Sequence, residues 1–481
     1  MKTILFFDRP ALTTLYAMMT KYMYDINTIH IAYSEEDVKE LSTYGIKPAL
    51  VYLDKFKYEY DHCDVNDEVL NEIDKDILTY TGGRFNLNEA IQCDRGFSIL
   101  NYNECLRSAV AHYRIWKSIF EEQHVDLLAH EPCSLFFNFI ASVLCKKQGG
   151  FYSYQIACMS DKYEYSYLNC NNDEYDYLEL RRAFEKYNNN PNLIDIERCE
   201  NYLNKFRNDY SVFFSVINKK QSFLRLAYRA IRNFIYTKIK LNDRIKIYNN
   251  IKYWISSYNT PWRKMKNLFC YRLEGVKFID TIPENEKYLF YPIHLEPEAV
   301  VSYLGDNIYS NQIKLIENIA ASLPPGYFLY VKDHPHEYAY RSADDYKRLM
   351  NIPNIRLLNQ WIPGKAIVAK SDGVVTINGT AGLEAMLMNK HVFCFGRNQY
   401  SFVPRINFVK NIRDLKDVIY KNINKIYSDD NELYAYIMAY LESGHPGYVN
   451  CFMGGPWLKT INYENNAKII ASEMMKYVDY L

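Results

Sequence analysis

A strand that runs through a tight glycine and threonine turn directly into a helix confines a chain to an open α/β sheet, and residues 371–385, SDGVVTINGTAGLEA, have that form. Val374, Val375 and Ile377 suit a buried strand, the small residues from Asn378 to Gly382 leave no room for a long loop, and a helical pattern spans 382–388. Upstream, residues 327–332 form a second apolar run that ends in the polar sequence Lys332-Asp333-His334-Pro335. Strands are also predicted at 287–293 and 391–395, with a helix at 311–322 and the end of another at 367–370. Alternation of this kind predicts a parallel sheet with crossover helices.

The N-terminal part repeats the pattern. Short β-branched runs at 3–7, 28–33, 49–53, 125–129 and 151–157 predict strands, and an apolar helix is expected at 134–147. With 481 residues the chain exceeds what one core usually holds, so two domains facing a cleft are expected. The divisions predicted are 1–170 and 281–425 for two Rossmann-like domains, 171–280 for a helical bridge, and 426–481 for C-terminal helices that return toward the first domain. His130 and Glu131 follow a strand, at the edge of a sheet where ligands gather.

Composition removes several classes. Lys and Arg total 57, as do Asp and Glu, and this balance argues against a nucleic-acid binder. Eleven cysteines lie scattered without a CxxC pair, so neither a metal site nor a disulfide framework is expected, and reduced thiols fit a cytoplasmic protein. The first apolar run is too short for a signal peptide, and none approaches a membrane span. Between Lys219 and Arg272, however, many basic residues are interleaved with Phe223, Tyr228, Tyr236, Trp254 and Trp262, and Asp243 is the one acid. That stretch suits the anionic inner face of a membrane, bound peripherally, or equally a solvated helix face whose aromatics pack inward.

Chemistry concentrates in the second α/β domain. Proline after His334 biases that residue toward extended backbone, where its imidazole and Lys332 can bind a phosphate and stabilise a departing nucleotide. Backbone N–H groups at Asn378, Gly379, Thr380, Ala381 and Gly382, with Thr376 before them, form an anion-binding helix entrance. Glu384 in the first helical turn serves either ribose hydroxyls or the helix dipole. A third strand end carries His294, Glu296 and Glu298, candidates for a sugar contact or for acid–base work, with structural capping an equal reading for either carboxylate.

Taken together, YPIHLEPE, VKDHPHE, VVTINGTAGLEA and HVFCFG within residues 287–400 resemble the capsule polysaccharide biosynthesis family, which includes Kdo transferases. The resemblance implies a GT-B-like architecture, with acceptor domain 1–170 and donor domain 281–425, and a glycosyltransferase that moves a sugar from a nucleotide donor to a bacterial surface glycan or lipid-linked acceptor. It implies a CMP-activated ulosonic acid such as Kdo as the donor, with metal-independent chemistry and no further cofactor. His334 and Pro335 would then hold the donor phosphate, while residues 378–382 and Glu384 complete the nucleotide site. Glu131 as base or nucleophile rests on its position at a strand end. A non-hydrolysing sugar-nucleotide epimerase and a non-catalytic assembly or export partner share such a fold, and both stay open at this point.

Overall fold

The computed structural model describes residues 1–9, 12–160, 165–171, 176–209, 224–225, 227–228, 231–232, 261–296, 299–305, 307–427, 429–449 and 461–481. The chain divides into two compact α/β units: unit 1 holds Met1–Ile194 and Ala435–Leu481, and unit 2 holds Asp195–Tyr434. Two Rossmann-like sheets, one per unit, give the GT-B-like class expected. The first stretch of unit 1 ends at Ile194 rather than near 170, and Asp195–Tyr434 belong to unit 2. Most of the basic and aromatic stretch, from Lys219 through Trp254, lies outside the described residues.

The sheet of unit 1 contains β1 (Lys2–Asp8), β2 (Ile26–Ala32), β3 (Leu50–Val51), β4 (Leu127–Ala129), β5 (Phe151–Met159), β6 (Tyr165–Asn171) and β13 (His445–Pro446). Their order is β13-β6-β5-β4-β1-β2-β3. The run from β3 to β5 is parallel, whereas β6 is antiparallel to both β5 and β13. Helices Tyr102–Glu122 and Phe136–Lys147 pack on this sheet; Asn101 caps the first by accepting from Glu104 N, and Trp116 is fully buried along its inner face. The last helix, Tyr463–Tyr480, brings Ile470, Ala471 and Met474 into one core with Leu15, Met19, Ile4 and Leu127. Each of the larger of these side chains contributes about 1.5–3 kcal/mol by leaving water, so the C-terminal helix closes the core of unit 1.

A buried ionic clamp ties that C-terminal segment down. His445 on β13 lies 2.9 Å from Glu179 through Nε2 and 3.3 Å from Glu473 through Nδ1. Burial lowers its pKa, but the two carboxylates outweigh burial and leave the value above the ordinary 6.5. A proton held more tightly in the folded state adds stability that is complete below pH 6.5 and disappears as pH rises through the higher folded value. Chemical denaturation is expected to show a smaller loss of stability between about pH 6 and pH 8.5 in His445→Gln than in the wild type, the difference being the contribution of the clamp. An identical pH profile in the variant would rule out the clamp.

Unit 2 is built on β7 (Lys287–Pro292), β8 (Tyr327–Lys332), β9 (Ile355–Leu358), β10 (Gly373–Thr376), β11 (His391–Cys394) and β12 (Asn407–Phe408). The order is β12-β11-β10-β7-β8-β9, and all strands are parallel. Helices cover such sheets on both faces, so β8 and β10 are nearly continuous apolar runs. Tyrosines fill much of this interior and find partners for their hydroxyls: Tyr288 stacks on Tyr330 at 3.9 Å, donating to Ile367 O, while Tyr330 donates to Glu286. No helix among the described residues is long and apolar enough to cross a membrane.

Candidate functional site

In unit 2 the chain runs outward from β7 through β8 to β9, then returns to β10 on the other side of β7. The carboxyl ends of β7 and β10 therefore flank a topological switch point, the place where open α/β sheets bind ligands. His294, two residues past β7, spans that point. Its Nε2 accepts from Ile377 N at 3.3 Å and lies 3.2 Å from the Thr376 hydroxyl, which in turn accepts from Gly379 N at 3.0 Å. Burial, then the neighbouring His334 and Arg341, push its pKa down to about 4, so the ring is neutral and suited to accepting. A Cβ on Gly379 would sit 2.9 Å from the His294 ring, so glycine permits this approach.

Next to β7, strand β8 delivers Lys332, Asp333 and His334. Lys332 is 8 % exposed, and its ammonium reaches the carbonyls of Gln360 at 3.4 Å and Asp333 at 3.5 Å. Burial pushes it down to about 8, against the pull of Asp333 and Glu384. His334 is half-buried, and its backbone is fixed by bonds from its own N to Asp333 Oδ1 and from Glu337 N to its carbonyl, both 2.9 Å. Beneath the loop lies Arg341, with ion pairs to Glu296 at 2.8 Å and to Asp333 at 3.2 Å and a bond to His294 O at 3.3 Å. Glu337 is buried beside this network; burial, then Asp333, raise its pKa to about 8.

The glycine turn completes the group. Helix Thr380–Leu387 begins at Gly379 with no side-chain cap, and Asn378 Nδ2 donates to Arg397 O at 2.7 Å. Gly382 faces inward, where a Cβ would meet the Tyr400 hydroxyl at 2.2 Å, and that hydroxyl donates to Gly379 O. Glu384 is half-buried; burial raises its carboxyl to about 7 although Lys365 and Lys332 pull it down. The atoms with access to solvent thus belong to His334, Pro335, Asn378, Gly379, Thr380, Ala381 and Glu384. An uncapped helix start, Lys332 and an imidazole favour an anion there.

Several expectations need correction. His294, Thr376 and Gly382, expected on the donor, are supports whose polar atoms or backbone serve the turn itself. Glu296, expected as an acid or base, has both oxygens committed, Oε1 to Gln312 and Oε2 to Arg341. Glu298 lies outside the described residues. In unit 1, Glu131 follows β4 at that sheet's own switch point and pairs with Arg9 at 2.9 Å, while the His130 ring is buried among Phe7, Phe137 and Tyr152. Arg341, Gln312 and Tyr400 escaped the sequence reading because each stands outside the motifs, and no local signal marks them.

Residues 198–404 match the model of a family described as capsule polysaccharide biosynthesis protein, the family that the motifs of residues 287–400 resemble. No curated protein matches the chain. Among solved structures, the UDP-GlcNAc 2-epimerase of Neisseria meningitidis bound to UDP-GlcNAc is similar at 12% identity and a TM-score of 0.25, covering 99% of this chain and 100% of its own. The β-Kdo 2,4-transferase KpsC of Thermosulfurimonas dismutans is similar at 11% identity and a TM-score of 0.30, covering 65% of this chain and 79% of its own. A β-Kdo 2,7-transferase structure of KpsC from the same organism gives 12% and 0.28, with 64% and 78% covered.

Proposed function

We propose that this chain, whose residues 198–404 match a capsule polysaccharide biosynthesis family, is a glycosyltransferase that moves a sugar from a nucleotide donor to a glycan or lipid-linked acceptor. The observation that carries the reading is the clustering at one switch point of His334, Lys332, the uncapped helix start at Gly379 and Glu384, around the His294 support. In this reading the donor phosphate lies against the imidazole of His334 and the N–H groups of Thr380 and Ala381, and Glu384 binds ribose hydroxyls. As the bond from sugar carbon to phosphate oxygen breaks, negative charge grows on the nucleotide phosphate. Lys332 and His334 offset that charge without having to reorganise. The acceptor oxygen bonds to the sugar carbon in place of the phosphate oxygen, and a carboxylate takes the proton of that hydroxyl.

We assign the donor to the CMP-activated ulosonic acids, following the family resemblance. A thermal-shift series with CMP, UMP, GMP and their sugar conjugates tests the assignment, since a ligand that binds only the folded state raises the melting temperature. The expected result is a shift of a few degrees that is largest with CMP, and product formation only when acceptor is added. Isomerisation of a sugar nucleotide in the absence of acceptor would make the protein an epimerase. Absence of any shift would remove the catalytic reading.

A further inference from the structure

The loop that follows β9 enters the site as described only through the Gln360 carbonyl, and it lies one strand beyond His334 on the same sheet edge, an offset of about 5 Å. It is rigidly held. Asn359 N bonds to Ile279 O at 2.9 Å, Asn359 Nδ2 to Asp280 at 2.6 Å, and both Trp361 N and Ile362 N return to Asn359 at 3.1 Å. On this frame Trp361 leaves 39% of its surface in water, open to a ligand. Tyr338, from the turn that follows His334, stands beside it with ring centroids 5.8 Å apart and planes inclined at 46°.

The residue before Trp361 adds a polar component. Gln360 gives its carbonyl to Lys332, which connects the loop directly to the proposed phosphate site. Its side-chain Nε2 is buried and has no hydrogen-bond partner among the described residues. Leaving an amide donor buried and unpaired costs about 1–3 kcal/mol, which the half-buried Gln360 recovers when its side chain turns outward to meet a ligand carbonyl. A stacking surface and a donor lacking its acceptor, joined through Lys332 to a phosphate site, together fit the flat heterocycle of a nucleotide.

We infer that Trp361 and Tyr338 form the stacking wall of a nucleobase subsite and that Gln360 reads a ring carbonyl of the base. The inference rests on the nucleotide-donor reading and adds the part of the donor that sets specificity. Since the unpaired group is a donor, bases with a ring carbonyl (cytosine, uracil and guanine) are accepted, and adenine, which has none, is discriminated against.

Calorimetric titration of the full chain with CMP, UMP, GMP and AMP provides the test. Wild-type protein should bind at least one carbonyl-bearing nucleotide about tenfold or more tightly than AMP. Trp361→Ala should weaken that nucleotide about tenfold, the size expected for one base–aromatic stack, and Trp361→Phe should restore most of it. Gln360→Met, which keeps the length of the side chain, should bring the preferred nucleotide to within about threefold of AMP. If nucleotides bind but Trp361→Ala costs less than twofold, or Phe is no better than Ala, the stacking wall is wrong while the donor reading stands. If AMP binds as well as the others, or Gln360→Met leaves the preference intact, the carbonyl contact is wrong. If no nucleotide binds the wild type, this inference and the donor reading fall together.

Discussion

Transfer by a His334→Ala variant is expected to fall at least about 100-fold, while its melting temperature stays within about two degrees of the wild type. The stability half follows from the structure. His334 is only half-buried, and alanine retains the two bonds made by its backbone N and O. The activity half follows from charge. An imidazole that donates to a phosphate acts most strongly when the glycosidic bond is breaking and the nucleotide gains negative charge, so kcat should drop more than KM for the donor rises. Asparagine at the same position, keeping one donor, should recover part of the loss. Steady-state kinetics with a CMP-linked donor would decide, and more than about a third of wild-type activity in His334→Ala would sink the proposed role. A simple structural residue would give the opposite pattern, with a lower melting temperature and activity lost only in proportion to unfolding.

The parts of the molecule legible in its sequence are those whose physics is local. Strands such as β8 and β10 are buried on both faces, so each appears as an unbroken apolar run, and the turn after β10 shows itself through small residues that nothing else demands. The antiparallel β6 was missed because Tyr165–Asn171 mixes Ser, Asn and Cys with its apolar residues, and its partner β13 lies far along the chain. At β3 the expected strand over 49–53 shrinks to Leu50–Val51, since the chain turns helical at Tyr52. The site divides in the same way. His334 and the glycine turn are marked by proline and glycine, which act on their own backbone. Arg341 and Gln312 do their work through partners distant in sequence, and Glu296 looked like a catalytic carboxylate because its two partners could be found only in three dimensions.

Those distant partners carry the larger stability effect. Arg341 is 4% exposed and is the common counter-charge of Asp333 and Glu296, while its second amino group holds His294 O. Asp333 also accepts from Tyr346 and from His334 N, so the arginine anchors the loop that presents the imidazole. Arg341→Ala leaves the buried Asp333 and the half-buried Glu296 without their cation, and breaking a buried pair from one side costs about 3–5 kcal/mol. For a unit of this size that corresponds to a fall of roughly 10 °C in melting temperature. The pH dependence has a definite sign. Glu337 is already protonated near neutrality because burial and Asp333 hold its carboxyl near 8, whereas the ordinary value is 4.5, so its ionisation opposes folding as pH rises between those values. Arg341 pulls that value down in the wild type, so its removal raises the Glu337 pKa further. The deficit of Arg341→Ala should therefore be smaller at about pH 5.5, where Glu337 is protonated with or without the arginine, and larger at about pH 8, where its ionisation no longer has that cation beside it. Arg341→Lys restores the charge but not the fork that reaches three partners, so it should recover less than half of the loss. Denaturant unfolding at the two pH values checks each statement, and a deficit that is below about 1 kcal/mol, or that grows toward acid pH, would show that the loop of His334 does not depend on this arginine.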